Sequence, residues 1–300
     1  MKYAELVKQG QSKLFKAGIN DADYDAWILM EKICGISKTD YFTKMQDEVP
    51  DEMVTAYFKA IDKRITHYPL QYIVGEWEFM GLKFTVNENV LIPRQDTEVL
   101  VETAIRIIEN EYQNTKRKIE ILDMCTGSGC IGISLAKFCK NVKITAVDLS
   151  EEALLVARKN AEMNNLDNIK FICSDLYQKL GDDVNEVYKT FDMIISNPPY
   201  INTKDIDTLM PEVRDYEPRM ALDGDEDGLK FYRSIIFQSR NYLKNDGCIL
   251  FEIGCEQGGA VKEFFEKNKY KQIEVIKDLS GLDRVVVGRY EKPIELIEFD

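Results

Sequence analysis

From Ile119 onward, the chain alternates short apolar segments rich in β-branched residues with segments of helical periodicity. This alternation predicts seven strands, at Ile119–Asp123, Val142–Val147, Ile169–Cys173, Phe191–Ser196, Cys248–Ile253, Ile273–Ile276 and Arg284–Val287. Helices are predicted between the early strands, at Ile131–Phe138 and Ala153–Met163. Because strands separated by helix-length segments pair in parallel through crossover connections, the pattern indicates an α/β fold with an open parallel sheet and helices on both faces.

The first 75 residues lack this alternation and carry apolar residues at helical spacing instead. One helix is expected to start from a cap at Asp21 and to bury Trp27 and Ile33. Another is expected to start from a cap at Asp51. This region is therefore predicted to form a small helical bundle.

Between these two regions, alternating residues on either side of Met80-Gly81 are typical of a β-hairpin. The chain ends in a segment rich in acidic residues. The predicted organisation is a helical domain over residues 1–75, a hairpin linker over 76–90, an α/β domain over 91–290 and an acidic tail over 291–300.

The overall charge restricts the class of partner. Acidic residues outnumber basic ones by 52 to 39, which gives a net charge of −13 at pH 7. A protein whose main partner is duplex DNA normally carries a basic surface that displaces phosphate counterions, so direct DNA binding is not expected.

The remaining composition bears on location and metal chemistry. The chain shows no signal peptide and no apolar run of about 18 residues, so a cytoplasmic protein without membrane contact is expected. Its seven cysteines are scattered through apolar segments without a C-x-x-C pair, which is typical of reduced core thiols. The single histidine, His67, excludes a multi-histidine metal site, and no bound metal is expected.

A glycine-rich loop directly follows the first predicted strand of the α/β domain. Thr126, Gly127, Ser128 and Gly129 lie where the backbone must turn sharply into the next helix. Such a loop lets a nucleotide-type cofactor approach the helix N-terminus closely. Together with Gly132 the spacing also matches G-x-G-x-x-G, so the loop fits NAD as well as S-adenosylmethionine and does not distinguish them.

Carboxylates follow the next two predicted strands. Asp148 ends the second strand, where it can accept hydrogen bonds from both ribose hydroxyls of an adenosine cofactor. Asp175 and Leu176 follow the third strand at the same edge, where they suit the adenine amino group and the adenine ring, respectively. Taken alone, Asp175 is equally well explained as a helix cap.

The sequence Asn197-Pro198-Pro199-Tyr200, at the end of the fourth predicted strand, separates the alternatives. Its two prolines end the strand and lack backbone N–H groups, so nearby carbonyls stay free to accept hydrogen bonds. The Asn197 side-chain oxygen and the Pro198 carbonyl offer two acceptors, which match the two hydrogens of a planar –NH2 group. Tyr200 offers a flat face for stacking. The motif favours methyl transfer to an amide or amino nitrogen over a proline turn that only ends a strand.

Two further polar segments have no assigned role. Arg94 and Thr97 lie just before and at the start of the predicted helix Thr97–Ile108, where they suit either the wall of a site or a capped helix start. Glu212 and Glu217 are expected to be solvated surface, as are the acidic residues between positions 223 and 227.

These motifs and several other segments resemble the protein-(glutamine-N5) methyltransferases that modify peptide chain release factors, the PrmC/HemK family. The resemblance covers nearly the whole chain, and Leu91-Ile92-Pro93-Arg94 with Asp96-Thr97-Glu98 is its most specific part. The other matching segments are Pro69–Ile73 with Gly75, Gly81–Phe84, Thr126–Ile131, Ser196–Ile201, Asp215–Pro218, Asp227–Leu229, Glu252–Gly254 with Gln257, and Asp283-Arg284.

The resemblance implies a Rossmann-like, seven-stranded class I methyltransferase domain behind an N-terminal helical domain and a hairpin linker. The implied activity is N5-methylation of the glutamine in the Gly-Gly-Gln loop of class I release factors. S-adenosyl-L-methionine is the implied methyl donor, and S-adenosyl-L-homocysteine is the product. Thr126–Gly129, Asp148, Asp175 with Leu176, and Asn197 are implied to hold the cofactor, and Asn197–Tyr200 the glutamine. The helical domain is implied to dock the release factor, and a monomer is expected.

The expected chemistry is direct in-line transfer of a methyl group from the sulfonium to the nitrogen. Because an amide lone pair is delocalised, the enzyme acts by positioning and polarising the –NH2 group, with Asn197, Pro198 and Tyr200 as the catalytic residues. The nearest alternative is a nucleic-acid methyltransferase acting on the exocyclic amino group of adenine or guanine. An NAD-dependent oxidoreductase and a non-catalytic scaffold of the same fold are more distant alternatives.

Overall fold

The computed structural model describes residues 1–180 and 191–291. The chain divides into two compact units, of which the first, the helical unit, comprises Met1–Glu76 together with the remote segment Leu209–Tyr216. The rest of the described chain forms the second, the sheet unit. The predicted acidic tail, apart from its first residue, lies outside the described residues.

The two units are built from the following elements. In chain order they are α1 (Tyr3–Lys16), α2 (Ala22–Cys34), α3 (Lys38–Lys44), α4 (Asp51–Arg64), α5 (Leu70–Val74), β1 (Glu76–Phe79), β2 (Leu82–Thr85), α6 (Asp96–Glu111), β3 (Ile119–Met124), α7 (Cys130–Phe138), β4 (Val142–Asp148), α8 (Glu151–Met163), β5 (Ile169–Cys173), β6 (Phe191–Ser196), the 3-10 helix Thr203–Thr208, α9 (Pro211–Tyr216), α10 (Arg219–Leu222), α11 (Lys230–Ser239), β7 (Leu243–Glu252), α12 (Gly258–Lys267), β8 (Tyr270–Lys277) and β9 (Asp283–Tyr290).

The helical unit has its own apolar core, in which Leu6, Leu29 and Ile61 are fully buried. The prediction of a helical bundle is confirmed, but both predicted caps are wrong. Asp21 does stand at the N-cap of α2, yet its backbone is not extended (φ −96°, ψ 39°) and its side chain makes no capping hydrogen bond. Asp51 is the first residue of α4, and Pro50 is the N-cap. A capping side chain reaches the helix N–H groups only from an extended backbone at the N-cap itself.

The sheet unit is organised around a seven-stranded sheet with the strand order β5-β4-β3-β6-β7-β9-β8. β5, β4, β3, β6 and β7 are paired in parallel. The order reverses between β3 and β6, which sends the chain outward in opposite directions from the centre of the sheet. β1 and β2 form a separate two-stranded sheet, as the hairpin prediction required.

The last strand departs from the predicted parallel sheet. β9 runs antiparallel to both β7 and β8. The connection from β8 to β9 covers only residues 278–282, whereas a parallel crossover needs a dozen residues or more. The short connection therefore fixes the direction of β9.

Apolar cores lie on both faces of the sheet. Because neighbouring residues along a strand point to opposite sides, a single strand contributes to both cores. In β3, Ile121 belongs to the same core as Leu100 of α6, whereas Leu122 belongs to the core that contains Ile235 of α11. With both faces covered by helices, the loops at the carboxyl ends of the strands are where polar groups can meet a ligand. No helix among the described residues is both long enough and apolar enough to span a membrane. The seven cysteines are free thiols.

Candidate active site

The carboxyl ends of β3, β4 and β6 lie at the point where the strand order reverses. Met124 at the end of β3 is level with Val147 of β4 and Ser196 of β6, so the residues that follow leave the sheet side by side. Open parallel sheets bind ligands at such a reversal. A cavity of about 310 Å³ lies there.

Most of the predicted site residues line this cavity. They are Thr126, Gly127, Ser128, Asp148, Asp175, Leu176, Asn197 and Pro199. The cavity wall does not include the remaining three, Gly129, Pro198 and Tyr200. Gly129 is the N-cap of α7, Pro198 is buried and Tyr200 is half-buried beside the wall.

The glycine-rich loop is held in one conformation by backbone contacts. The Thr126 N–H donates to the Val147 carbonyl at 2.9 Å, which ties the loop to β4. Gly129 has a φ of 82°, and a Cβ at this position would lie 2.9 Å from Cδ1 of Ile133 and 3.2 Å from Cβ of Ala157. Only glycine satisfies both the left-handed backbone and this close approach of α7 to α8.

Asp123 anchors the loop from beneath, a role that its sequence position did not reveal. Its carboxylate is fully buried, and Oδ2 accepts hydrogen bonds from the Thr126 hydroxyl at 2.6 Å and from the Gly132 N–H at 3.0 Å. Burial raises the pKa of Asp123 to about 7, although these two hydrogen bonds oppose the rise. Asp123 thus joins the start of the loop to the first turn of α7.

Asp148 faces the same loop from the end of β4. Its Oδ2 accepts from the Gly127 N–H at 2.8 Å, and its Oδ1 accepts from the Ser150 N–H at 3.0 Å. Burial raises the pKa of Asp148, and the backbone donors counteract the rise. Because a carboxylate has about four lone-pair sites, each oxygen can still accept one hydroxyl proton from a ligand in the cavity.

Asp175 and Leu176 form the wall beyond β5. Asp175 is exposed and accepts a hydrogen bond from Nε2 of Gln178 at 3.1 Å. Leu176 lies in the left-handed region with a φ of 49°. Among the described residues no helix begins at Asp175, so it does not cap one. The buried hydroxyl oxygen of Ser174 accepts from the Lys179 N–H at 2.9 Å and holds the turn that follows.

The Asn197–Tyr200 segment leaves β6 between the loop and α6. The Ser196 hydroxyl donates to the Met124 carbonyl at 2.6 Å and fixes the end of the strand. Asn197 Nδ2 donates to Oγ1 of Thr97 at 3.3 Å. The Tyr200 hydroxyl donates to Oε1 of Glu252 at 3.3 Å.

Two polar residues that hold this segment, Glu252 and Gln257, received no role from the sequence. Glu252 is 1% exposed, and burial raises its pKa to about 7. Gln257 Nε2 donates to the carbonyls of Tyr200 at 2.9 Å and of Gly228 at 3.2 Å, while its Oε1 accepts from the Gly254 N–H at 3.0 Å. A glutamate directly after the apolar run over residues 248–251 was the available signal, since a buried charge needs partners.

Two of the residues expected at the surface are in fact buried or paired. Glu217 is 5% exposed, forms an ion pair with Arg94 and accepts a hydrogen bond from the Ile92 N–H at 3.3 Å. Burial raises the pKa of Glu217, and Arg94 opposes the rise. In the helical unit, Glu212 pairs with the buried Arg64 at 3.0 Å. The prediction of solvated surface was therefore wrong for both glutamates.

The described ranges, 1–180 and 191–291, contain no group of three or more His, Cys, Asp or Glu side chains arranged to hold a metal ion.

The sequence also matches proteins of known family. Residues 5–75 match the model of the PrmC N-terminal domain, and residues 98–212 match the model of the methyltransferase small domain. The release factor glutamine methyltransferase of Clostridium acetobutylicum is 40% identical over 273 residues, which cover 90% of this chain and 92% of the relative. That of Thermodesulfovibrio yellowstonii is 37% identical over 278 residues, which cover 92% and 96%, respectively. The chain belongs to the release factor glutamine methyltransferase family.

Solved structures agree with this membership at the level of the fold. The hMettl16 catalytic domain in complex with MAT2A 3'UTR hairpin 6 superposes with a TM-score of 0.54 at 18% identity, covering 80% of this chain and 82% of that one. SMU.776 complexed with SAH superposes with a TM-score of 0.51 at 14% identity, covering 80% and 66%. The predicted Rossmann-like, seven-stranded class I methyltransferase fold behind a helical region and a hairpin is thus confirmed. As a member of this family, the chain is a methyltransferase.

Proposed function

We propose that this methyltransferase transfers a methyl group from S-adenosyl-L-methionine to N5 of the glutamine in the Gly-Gly-Gln loop of class I peptide chain release factors. Relatives named release factor glutamine methyltransferase support the substrate class. The observation that carries the proposal is that Asn197, the glycine-rich loop and Asp148 line one cavity. Amide-binding acceptors and a nucleoside-binding edge are then within reach of each other.

The residues present fit this cofactor. The cavity of about 310 Å³ is at the lower end of the size range typical of small-molecule sites. The free lone pairs of Asp148 suit the ribose hydroxyls, Asp175 and Leu176 suit the adenine, and the Thr126–Gly129 loop and Asn197 suit the rest of the molecule. When bound, the cofactor supplies a methyl group on a positively charged sulfonium.

The protein's own contribution is to orient and polarise the glutamine amide. The Asn197 oxygen and the Pro198 carbonyl each accept one N–H of the –NH2 group, which favours lone-pair density toward the methyl carbon. With S-adenosyl-L-methionine held by Asp148 and the Thr126–Gly129 loop, methyl transfer would form the N–C bond at the expense of the C–S bond, and the nitrogen would then lose a proton to water. Tyr200 stacks on the planar amide, and burial raises the pKa of its hydroxyl, so Tyr200 stays protonated and is not the base.

Further parts of the proposal concern partners and organisation. We propose that the helical domain, residues 1–75, docks the release factor, and that the linker and α/β domain follow the predicted boundaries at 76–90 and 91–290. We also expect a cytoplasmic monomer. Direct DNA binding is not expected, because a net charge of −13 opposes binding to a polyanion.

The test is a transfer assay with methyl-labelled S-adenosyl-L-methionine. Intact release factor, a variant whose loop glutamine is replaced by alanine, duplex DNA and RNA are offered in parallel. We expect label on the intact release factor alone; label on DNA or RNA would replace the substrate by a nucleic-acid base.

The site is tested on the same substrate with Asn197→Ala. Losing one preorganised polar contact to the reacting group is expected to lower kcat by about 100- to 1,000-fold. Cofactor affinity, measured by calorimetry, should largely be retained. Asn110→Ala, at an exposed position of α6, is the matched control and should keep normal turnover. Near-normal turnover of Asn197→Ala would refute the proposed role of the motif.

A further inference from the structure

The proposed chemistry requires one particular orientation of the Asn197 amide. An asparagine amide has an acceptor oxygen at one end and a donor –NH2 group at the other. If the –NH2 end faced the glutamine –NH2, two donors would meet and no hydrogen bond would form. Because the two ends have nearly the same shape, packing alone selects weakly between them. The other hydrogen-bond partner of Asn197 must therefore set the orientation.

That partner is Thr97, near the start of α6. Its side chain is 2% exposed, and its Oγ1 lies 3.3 Å from Nδ2 of Asn197. A threonine hydroxyl is both a donor and an acceptor, so Thr97 alone would tolerate either end of the Asn197 amide. It becomes selective only if its single proton is already used by another acceptor.

Glu252 offers that acceptor. Its carboxylate is 1% exposed at the end of β7, and Oε1 accepts from the Tyr200 hydroxyl at 3.3 Å. Its Oε2 is buried and has no hydrogen-bond partner among the residues that the structure describes. Burial raises the pKa of Glu252, and the neighbouring Thr97 hydroxyl opposes the rise by favouring the ionised carboxylate.

We propose that ionised Glu252 accepts a hydrogen bond from the Thr97 hydroxyl, leaving Thr97 only as an acceptor for the Asn197 –NH2 group and turning the Asn197 oxygen toward the substrate. Glu252 and Thr97 are thus positioning residues, and the assignment rests on the proposed function. Through Oε1, the same carboxylate also holds Tyr200. One buried charge orders both polar side chains of the Asn197–Tyr200 segment.

The charge state of Glu252 makes this arrangement dependent on pH. The groups that face it are Asp96 on α6, Cys130 on α7, Arg284 on β9, Tyr232 on α11 and Tyr200 after β6. Arg284 favours ionisation, whereas burial and Asp96 oppose it, and burial dominates because the pKa is raised to about 7. Protonated Glu252 can donate to Thr97, which then can donate to the wrong end of Asn197. Turnover should therefore fall as the pH drops below about 7.

The hydrogen-bond chain from Glu252 through Thr97 to Asn197 is called the relay below. A matched pair of substitutions at Thr97 tests it directly. Thr97→Val keeps the shape but removes the hydroxyl, and kcat is expected to fall by about 10- to 100-fold as the reacting amide is misplaced. Thr97→Ser keeps the hydroxyl and should restore turnover close to that of the wild type. Cofactor affinity should be unchanged in both variants. Equal turnover of the valine and serine variants would overturn the proposal.

Glu252→Gln tests the charge. The variant keeps the shape of the side chain but does not ionise, so kcat should be low and should lack the acid limb near pH 7. Its effect should be smaller in a Thr97→Val background, because both residues act through Asn197. A wild-type acid limb that persists in Glu252→Gln, or additive effects of the two changes, would contradict the relay.

The relay and the proposed function fail separately. A wild-type protein that does not label release factor refutes the proposed function. The variants are compared on whichever substrate the wild type does label, since any planar –NH2 group needs the same orientation of Asn197. Thermal unfolding of each variant distinguishes a misfolded protein from a misplaced amide.

Discussion

Replacing Gly228 by alanine is expected to damage both stability and turnover. Gly228 has a φ of +70°, and a Cβ at this position would overlap the Tyr200 carbonyl oxygen and lie 2.9 Å from Nε2 of Gln257. Gly81, in the same unit, also has a φ of +70° but has nothing within 4 Å of its Cβ position. Both substitutions therefore strain the backbone equally, and only the one at Gly228 meets the active-site segment.

The contacts set the expected magnitudes. An alanine in the left-handed region costs about 1–2 kcal/mol, which is the full expected loss for Gly81→Ala. At Gly228, the Tyr200 carbonyl must also move away from Gln257, which loses a hydrogen bond worth about 1 kcal/mol. Forcing the neighbouring groups apart adds about 1–3 kcal/mol. Gly228→Ala should thus lower the free energy of unfolding by about 3–6 kcal/mol.

The measurement is urea unfolding of both variants, followed by fluorescence of Trp77, which belongs to the same unit as the two glycines. Fluorescence of Trp27, in the helical unit, is removed in a common Trp27→Phe background. In the native protein, Gly228→Ala should lower kcat by about 10-fold or more because Tyr200 is displaced, while Gly81→Ala should leave kcat unchanged. Equal stability and equal kcat in the two variants would show that the loop accepts a Cβ without moving Tyr200, and would refute the reasoning.

Two further predictions concern charged groups. Asp148→Asn replaces a charged acceptor of ligand hydroxyls and should weaken cofactor binding by about 1.5–3 kcal/mol in calorimetry; an unchanged Kd would remove Asp148 from the cofactor site. In the helical unit, Asp25→Ala leaves the buried Arg64, 2.6 Å away, without one of its carboxylate partners and should cost about 3 kcal/mol of stability in urea unfolding. Asp62→Ala, which breaks a pair whose carboxylate is 57% exposed, should cost less than about 1 kcal/mol, and a reversed ranking would contradict the burial argument.

The positions of the strands and of the main motifs follow from local sequence. The predicted bounds of Ile169–Cys173 and Phe191–Ser196 agree with those observed, because apolar runs ended by turn residues are a local signal. The glycine-rich loop, Asp148 and Asn197 could also be placed at one edge before any contact was known. This placement needs only the order of the strands and the rule that carboxyl ends of parallel strands meet.

Details that depend on how the backbone enters an element were not predictable in the same way. Asp21 and Asp51 have the residue type of a cap, but the backbone at each helix start decided whether the side chain could act as one. The direction of β9 was open to prediction, because the length of the connection before it is visible in the sequence. The grouping of Leu209–Tyr216 with the first 76 residues was not, since it depends on contacts between distant segments.

The order of the elements and the chemistry of the motifs were thus determined by the sequence itself, through periodicity and turn residues that act over a few positions. Only the tertiary structure decided what holds the motif in place. Thr97 lies 100 positions from Asn197, and Glu252 lies 52 positions from Tyr200. A buried polar side chain must find its partners in space, and no local pattern in the sequence records which distant group the fold brings to it.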